Sequence, residues 1–210
     1  MAKAKKRAGR PTGATGEETQ ARLLEAACRF FAELGYSQAS NQQIARAAGI
    51  TSGSLYHYFE SKAELFAAVY RDVLGALLEA YSSAAADRDT CVEQLCEGIE
   101  RVSNLSRERP GLVEFVATAI SEIPRHEELE SRLLEEHLEL FAFFHRLLEE
   151  GQRRGEISPD VDLEAAVGTI VACTSGLALQ RRALVNEDEF AALMRGFQQL
   201  LRGQFFTPAS

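Results

Sequence analysis

The 210-residue chain is 46% apolar, enough for a sizeable core, which points to a soluble globular protein of one large or two small domains. Its formal charge of −8 counts against a nucleic-acid partner only in sum: residues 1–70 hold nine Lys/Arg against six Asp/Glu, whereas residues 71–210 hold fourteen against twenty-five. Four cysteines without C-x-x-C spacing or a disulfide framework, no apolar run of roughly 18 residues and no apolar stretch after the basic start predict a cytoplasmic protein without a membrane partner.

Residues 1–16, MAKAKKRAGRPTGATG, lack apolar periodicity and read as a flexible basic arm. Lys3, Lys5, Lys6, Arg7 and Arg10 give +5 in the first ten residues and leave residues 11–70 at −2. The bland role for such an arm is solubility; the functional one is to enter a minor groove, with Gly9-Arg10-Pro11 leading. Glu17 to Leu34 repeats apolar residues at Leu23, Leu24, Ala27, Phe30, Phe31 and Leu34, a helical stripe that Gly35 ends. Cys28 lies in this stretch and reads as packing.

Residues 40–65, SNQQIARAAGITSGSLYHYFESKAEL, carry the densest signals. Ser40 with Gln43, and Ser61 with Glu64, fit the capping box. Gly49 supplies the positive φ that lets one helix stop and the chain reverse. Ala45 is small enough for a close helix crossing, with Ile44, Ile50 and Leu55 beneath it, which is the pattern of a helix-turn-helix. The second helix, about 52–58, then has Ser52, Gly53, Ser54, Tyr56 and His57 on surfaces that packing does not need. Short polar side chains beside a glycine suit an element that must approach phosphates and base edges.

A long helix over 62–86 comes next, with Leu65, Phe66, Val69, Tyr70, Val73, Leu77 and Leu78 as its apolar side. The spacing then predicts helices over 90–106, from Pro110 to before Pro124, over 127–154, from Asp162 to about Leu184, and over 187–202. Small residues crowd the helix that starts at Asp162, so another backbone can come close. Cys91 and Cys96 fall on different helix faces, and His137 and His145, eight apart, sit about 80° from each other round a helix. Neither pair is expected to bind a metal.

The segments Glu33-Leu34-Gly35-Tyr36, Ser40, Ile44-Ala45, Ala48-Gly49-Ile50, Gly53-Ser54-Leu55-Tyr56-His57-Tyr58-Phe59 and Ser61-Lys62 together resemble the DNA-binding domain of the tetracycline-repressor (TetR) family of bacterial regulators. The resemblance is close over residues 17–70 and rests on length and helix count beyond. It implies an all-α chain of about nine helices: a three-helix helix-turn-helix domain, residues 17–61, followed by a larger ligand-binding and dimerisation domain, residues 62–210. It also implies phosphate clamps at Ser40 and Lys62, transmission through the fourth helix, and a homodimer through the last two helices. Two positions depart from the common pattern: Asn41 replaces an apolar residue, leaving either weaker packing or an extra DNA contact, and Ser52 replaces a longer, often basic one.

The expected DNA-binding residues are Lys5, Lys6, Arg7, Arg10, Ser40, Asn41, Thr51, Ser52, Gly53, Ser54, Tyr56, His57, Tyr58 and Lys62. Thr51 caps the reading helix, Gly53 permits close approach, and the tyrosines offer hydroxyls to phosphate; Phe59 is read as packing, and Tyr58 as either. The acidic C-terminal part is expected to be a sensor, with Phe115, Thr118, Phe141, Phe144, His145, Cys173 and Thr174 lining a cavity for a small lipophilic ligand; the alternative is that these phenylalanines fill a core. No catalytic triad, nucleophile motif or phosphate loop is present, so neither an enzyme nor a cofactor is expected. The chain thus reads as a dimeric repressor that a small ligand releases from a palindromic operator. The competing class is an all-helical ligand-binding or protein-interaction module that does not regulate DNA.

Overall fold

The computed structural model describes residues 16–184 and 186–206, and every structural statement concerns these. The basic residues Lys5, Lys6, Arg7 and Arg10 lie outside them. Among the described residues there are nine α-helices and no strand. In chain order they are α1 (Gly16–Gln38), α2 (Asn41–Ala47), α3 (Ser52–Leu55), α4 (Lys62–Asp87), α5 (Cys91–Glu108), α6 (Leu112–Glu122), α7 (Glu127–Arg153), α8 (Leu163–Arg181) and α9 (Glu187–Leu201). A single 3-10 turn, Ile123–Arg125, joins α6 to α7.

Local chemistry sets most boundaries. Ser40 and Gln43 form the complete capping box at the start of α2, and Gly49 at φ 74 ends the helix. There the amides of Gly49 and Ile50 donate back to Arg46 and Ala45, a Schellman closure. At α4 the box is offset by one residue: Ser61 accepts from Glu64 N, but the Glu64 carboxylate accepts from Glu60 N at 2.7 Å instead of from the cap itself. Helix α3 is shorter than the expected 52–58. After Leu55 the chain tightens into i→i+3 turns, with His57 N donating to Ser54 O and Tyr58 N to Leu55 O. Pro110 does not open α6; Gly111 at φ 92 stands between it and the first helical residue.

The α1 stripe centres on Leu23, Ala27 and Phe31, all fully buried, while Leu34 is 36% exposed because the chain breaks at Gly35 and Tyr36 turns inward. Helix α4 is the spine, about 39 Å long at 1.5 Å per residue, and it packs against α1, α5, α6 and α7. Its crossing with α5 is close enough that a Cβ on Gly98 would lie 2.1 Å from the Tyr81 ring. Helix α5 buries Cys91, Gln94, Leu95, Ile99 and Val102 but leaves the apolar Val92 39% exposed. Burial pushes the Cys28 thiol up to about 12 and the Cys91 thiol up to about 11, so both stay protonated packing groups.

Helix α8 behaves differently from the rest. It contacts α6 and α7, yet only Val167 and Ala178 are buried in it. With 19 residues and a mean hydropathy of 1.3, it is the one described helix long and apolar enough to pass as a membrane span by length and composition. Small and hydroxylic residues interrupt its apolar run and hide that property in the sequence.

Candidate nucleic-acid interface and apolar cavity

The three short elements 41–59 present one solvent face. Thr51 Oγ1 accepts from Ser54 N at 3.1 Å and lies 2.8 Å from Ser54 Oγ, so both hydroxyls order the start of α3. Tyr56 is 54% exposed and His57 is exposed. Ser52 is half-buried beside them. Asn41 Nδ2 donates to the Tyr56 hydroxyl at 3.3 Å, bracing that ring from α2, while Asn41 Oδ1 is buried without a partner. The Ser40 hydroxyl serves the cap. Leu55 and Phe59 are buried, and Tyr58 is half-buried against the same core.

Gly53 is informative because nothing within the chain demands it. Its backbone is helical, and an added Cβ would meet only Thr51 Oγ1 at 3.8 Å, an ordinary contact. Lys62, by contrast, is not held out as a phosphate clamp. Its ammonium donates to Ser37 O at 3.1 Å and Ala39 O at 3.2 Å and lies 4.6 Å from the centre of the Tyr36 ring. It therefore closes the end of α1 and fixes the head to α4.

Behind the head, an aromatic cluster fills the junction. Phe66 on α4 lies 5.0 Å from Phe31 on α1 and 5.1 Å from Phe115 on α6, ring centre to ring centre. Thr118, also expected in a ligand cavity, is buried here. Its hydroxyl donates to Glu114 O at 3.0 Å and accepts from Arg182 at 3.2 Å. Phe115 and Thr118 thus belong to the joint between head and body. They share α6 with the cavity but face α1.

Two contiguous cavities lie farther along α4. One of about 230 Å³ is lined by Tyr70, Val73, Leu74 and Leu77 of α4, by Val116 to Pro124 of the α6 corner, and by His137, Leu140, Val171 and Ser175. The deeper one, about 90 Å³, shares Leu77, Val116, Leu140 and Ser175 with it and ends among Tyr81, Phe144, Phe190 and Met194. Of the expected ligand residues, Phe144 and Thr174 line the deeper cavity. Phe141 is half-buried and sits against the His137 ring at 4.9 Å, one step behind the wall, while His145 and Cys173 are half-buried in neither lining. Sequence reasoning missed the α4 wall because it credited that stripe wholly to packing. A wider cleft of about 520 Å³ between α1 and the α5–α6 turn is walled by Arg29, Asp72, Glu108 and Arg109, charges that keep it wet.

Comparison with known proteins fits both halves. Residues 23–69 match the model of bacterial regulatory proteins of the tetR family, and residues 92–197 match the tetracyclin repressor-like C-terminal domain. The chain belongs to the TetR family. Among its relatives, the HTH-type transcriptional repressor KstR2 of Mycolicibacterium smegmatis is 30% identical over 149 residues, 68% of this chain and 69% of that one. The HTH-type transcriptional regulator UidR of Escherichia coli is 27% identical over 184 residues, 85% and 90% of the two chains. The regulator FadR from Bacillus subtilis, solved in complex with stearoyl-CoA, has the same fold, with a TM-score of 0.74 at 22% identity over 89% of this chain and 99% of that one. This TetR-family chain is a DNA-binding transcriptional regulator, and its family is one of regulators rather than enzymes.

Proposed function

We propose that this regulator is a cytoplasmic homodimeric repressor whose reading heads, residues 17–61, leave a palindromic operator when a small lipophilic effector enters the cavity of residues 62–210. The observation that carries the reading is the double duty of α4. Its first residue, Lys62, is bonded to the end of α1, and its residues from Tyr70 onward wall the cavity. A ligand that fits better when α4 tilts shifts the population toward heads with the wrong spacing, by its differential affinity for the two forms. The B. subtilis neighbour bound to stearoyl-CoA supports a lipophilic ligand class.

In this reading Thr51, Ser52, Ser54, Tyr56 and His57 meet phosphates and base edges, Asn41 aims Tyr56, Gly53 admits the backbone of the DNA, and the basic arm supplies long-range attraction to the duplex. Helices α8 and α9 are assigned to the dimer. The apolar surface that the two helices leave uncovered, with Leu179 of α8 45% and Leu200 of α9 44% exposed, is a liability that a second copy removes.

Gel-shift binding to DNA from upstream of its own gene, with sedimentation at micromolar concentration, tests the proposal. Specific retardation by a dimer is expected. A lone 23.1 kDa species, or no preference for that DNA, would leave an all-helical binding module as the better description.

A further inference from the structure

Two arginines at the end of α8 reach the reading head through α6. The principal helical neighbours of α1 are α2, α4 and α6, and those of α8 are α6, α7 and α9. Helix α6 belongs to both sets, so it is the shortest mechanical route from α8 to the head. Its hold on α8 is electrostatic. Arg181, with 13% of its side chain exposed, pairs at 3.1 Å with Glu114 in the first turn of α6 and also with Glu187 in the first turn of α9. Its guanidinium lies 5.6 Å from the centre of the Phe190 ring. Charges so nearly desolvated are costly to separate, so the cluster keeps these helix ends in one arrangement.

Arg182 continues the contact one turn farther along α6. It donates to the Thr118 hydroxyl at 3.2 Å, and that hydroxyl, on a residue 1% exposed, lies 3.0 Å from Glu114 O in its own helix and 3.4 Å from Ala32 O in α1. One oxygen thus stands within hydrogen-bond distance of α8, α6 and α1. Because an arginine can only donate, the hydroxyl accepts from it and keeps its single proton for one of the two carbonyls. Close packing does not fix the seam here: a cleft of about 340 Å³ opens between Arg29, Ala32 and Glu33 of α1, Glu114 of α6 and Arg182 itself. Where side chains do not interlock, directional bonds set the relative position. A cation that only served the end of α8 would need no partner beyond that helix's own carbonyls, yet both arginines reach across to α6.

We propose that Arg182 and Thr118 are positioning residues for operator recognition: with Arg181 and Glu114 as the anchor, they fix where each head stands relative to α8, and hence the distance between the two heads of the dimer. The inference rests on the homodimer through α8 and α9 proposed above. The α4 route carries the effect of the ligand; the arginine route sets the spacing that the ligand-free dimer reads.

The test compares full-length wild type, Arg182→Met, Thr118→Val, the double variant and Thr118→Ser by fluorescence anisotropy. The DNAs are the operator found by gel shift and two versions with one base pair added or removed at its centre. One base pair moves a half-site by about 3.4 Å and turns it by about 35°, so wild type should bind the altered operators about tenfold or more weaker. Arg182→Met should remain a dimer in sedimentation, lose about threefold or more in affinity for the native operator and discriminate less between spacings. Thr118→Val should behave likewise, with the double variant no worse than either single one, whereas Thr118→Ser keeps the hydroxyl and should discriminate as wild type does. Arg182 is exposed, so its variant carries the test even where the valine fails to fold. Additive losses, or a lowered urea midpoint with the spacing ratio of wild type, would show a contact that only holds the fold and would overturn the proposal while sparing the dimeric repressor. A wild type that forms no dimer or prefers no operator would overturn both.

Discussion

The Tyr36 hydroxyl donates a 2.5 Å hydrogen bond to Glu128 Oε1, joining the end of α1 to the first turn of α7 across 92 residues of chain. The same ring is edge-on to His126 at 4.8 Å and to Phe66 at 5.4 Å. One residue of the head thus reports on the corner that borders the cavity mouth.

Tyr36→Phe should therefore keep the ring contacts and lose the latch. Burial first, and the Glu128 carboxylate second, push the Tyr36 pKa above the ordinary tyrosine value. A group whose pKa is raised by folding gives its full stabilisation below the unfolded value and loses it as pH rises through the folded one. Wild-type stability should therefore fall above about pH 10, and less steeply in the variant. The fall does not vanish, because burial raises Tyr81 as well. At neutral pH the variant should lose about 1 kcal/mol in urea melts, and an unchanged alkaline slope would remove Tyr36 from this role.

Lys62 separates a structural cation from a phosphate clamp. With its ammonium on Ser37 O, Ala39 O and the Tyr36 ring, Lys62→Ala should cost roughly 1–2 kcal/mol of stability and weaken operator binding by loosening the head. The salt slope of binding should stay within error of wild type. A slope smaller by about one counterion would show that the ammonium swings to a phosphate on binding.

Where structure is decided within a few residues, the sequence was explicit. Ser40 with Gln43, Thr51, Gly49 and Asp162 all act where their chemistry placed them, because caps and positive-φ turns depend on neighbours along the chain. What depends on a partner helix was not legible. Composition does not tell which apolar residue of α5 stays outside the core: Val92 does, because α5 is rotated to put Cys91 against Gly151 and to let the Gln94 amide donate to Ala85 O and Arg88 O. Phe115 and Thr118 looked like cavity walls, but α1 covers that face of α6 and the cavity forms on the other. The clamp role for Lys62 came from family pattern, and only the position of the Ser37 and Ala39 carbonyls shows what the ammonium does in the free protein.

Gly53→Ala is the sharpest test of the reading head. Alanine is favoured over glycine in a helix by about 0.5–1 kcal/mol, and the added methyl meets nothing closer than 3.8 Å, so the variant should melt no lower than wild type. Operator affinity should nevertheless fall at least tenfold, because the methyl stands where DNA is to approach. Retained affinity would mean that this face of α3 stays clear of the duplex.

Gly98→Ala works at the opposite end of α4. Its methyl would stand 2.1 Å from Cδ1 and 2.5 Å from Cε1 of Tyr81, a packed ring that also lines the smaller of the two cavities along α4. Tyr81 sits against Phe144 at 5.2 Å and is 7% exposed, so its one free direction is the cavity that it lines. The ring must push into the deep cavity of about 90 Å³, or α4 and α5 must part. Overpacking of this kind costs about 1–3 kcal/mol, and the loss should appear in urea melts without ligand. The two escapes have different consequences. A ring driven into the cavity fills part of it while DNA affinity is kept; separated helices loosen α4 along its length and weaken operator binding even with no ligand present. Measuring the melting midpoint and ligand-free operator affinity on one preparation distinguishes them. A variant as stable as wild type would show that α4 and α5 do not cross this closely.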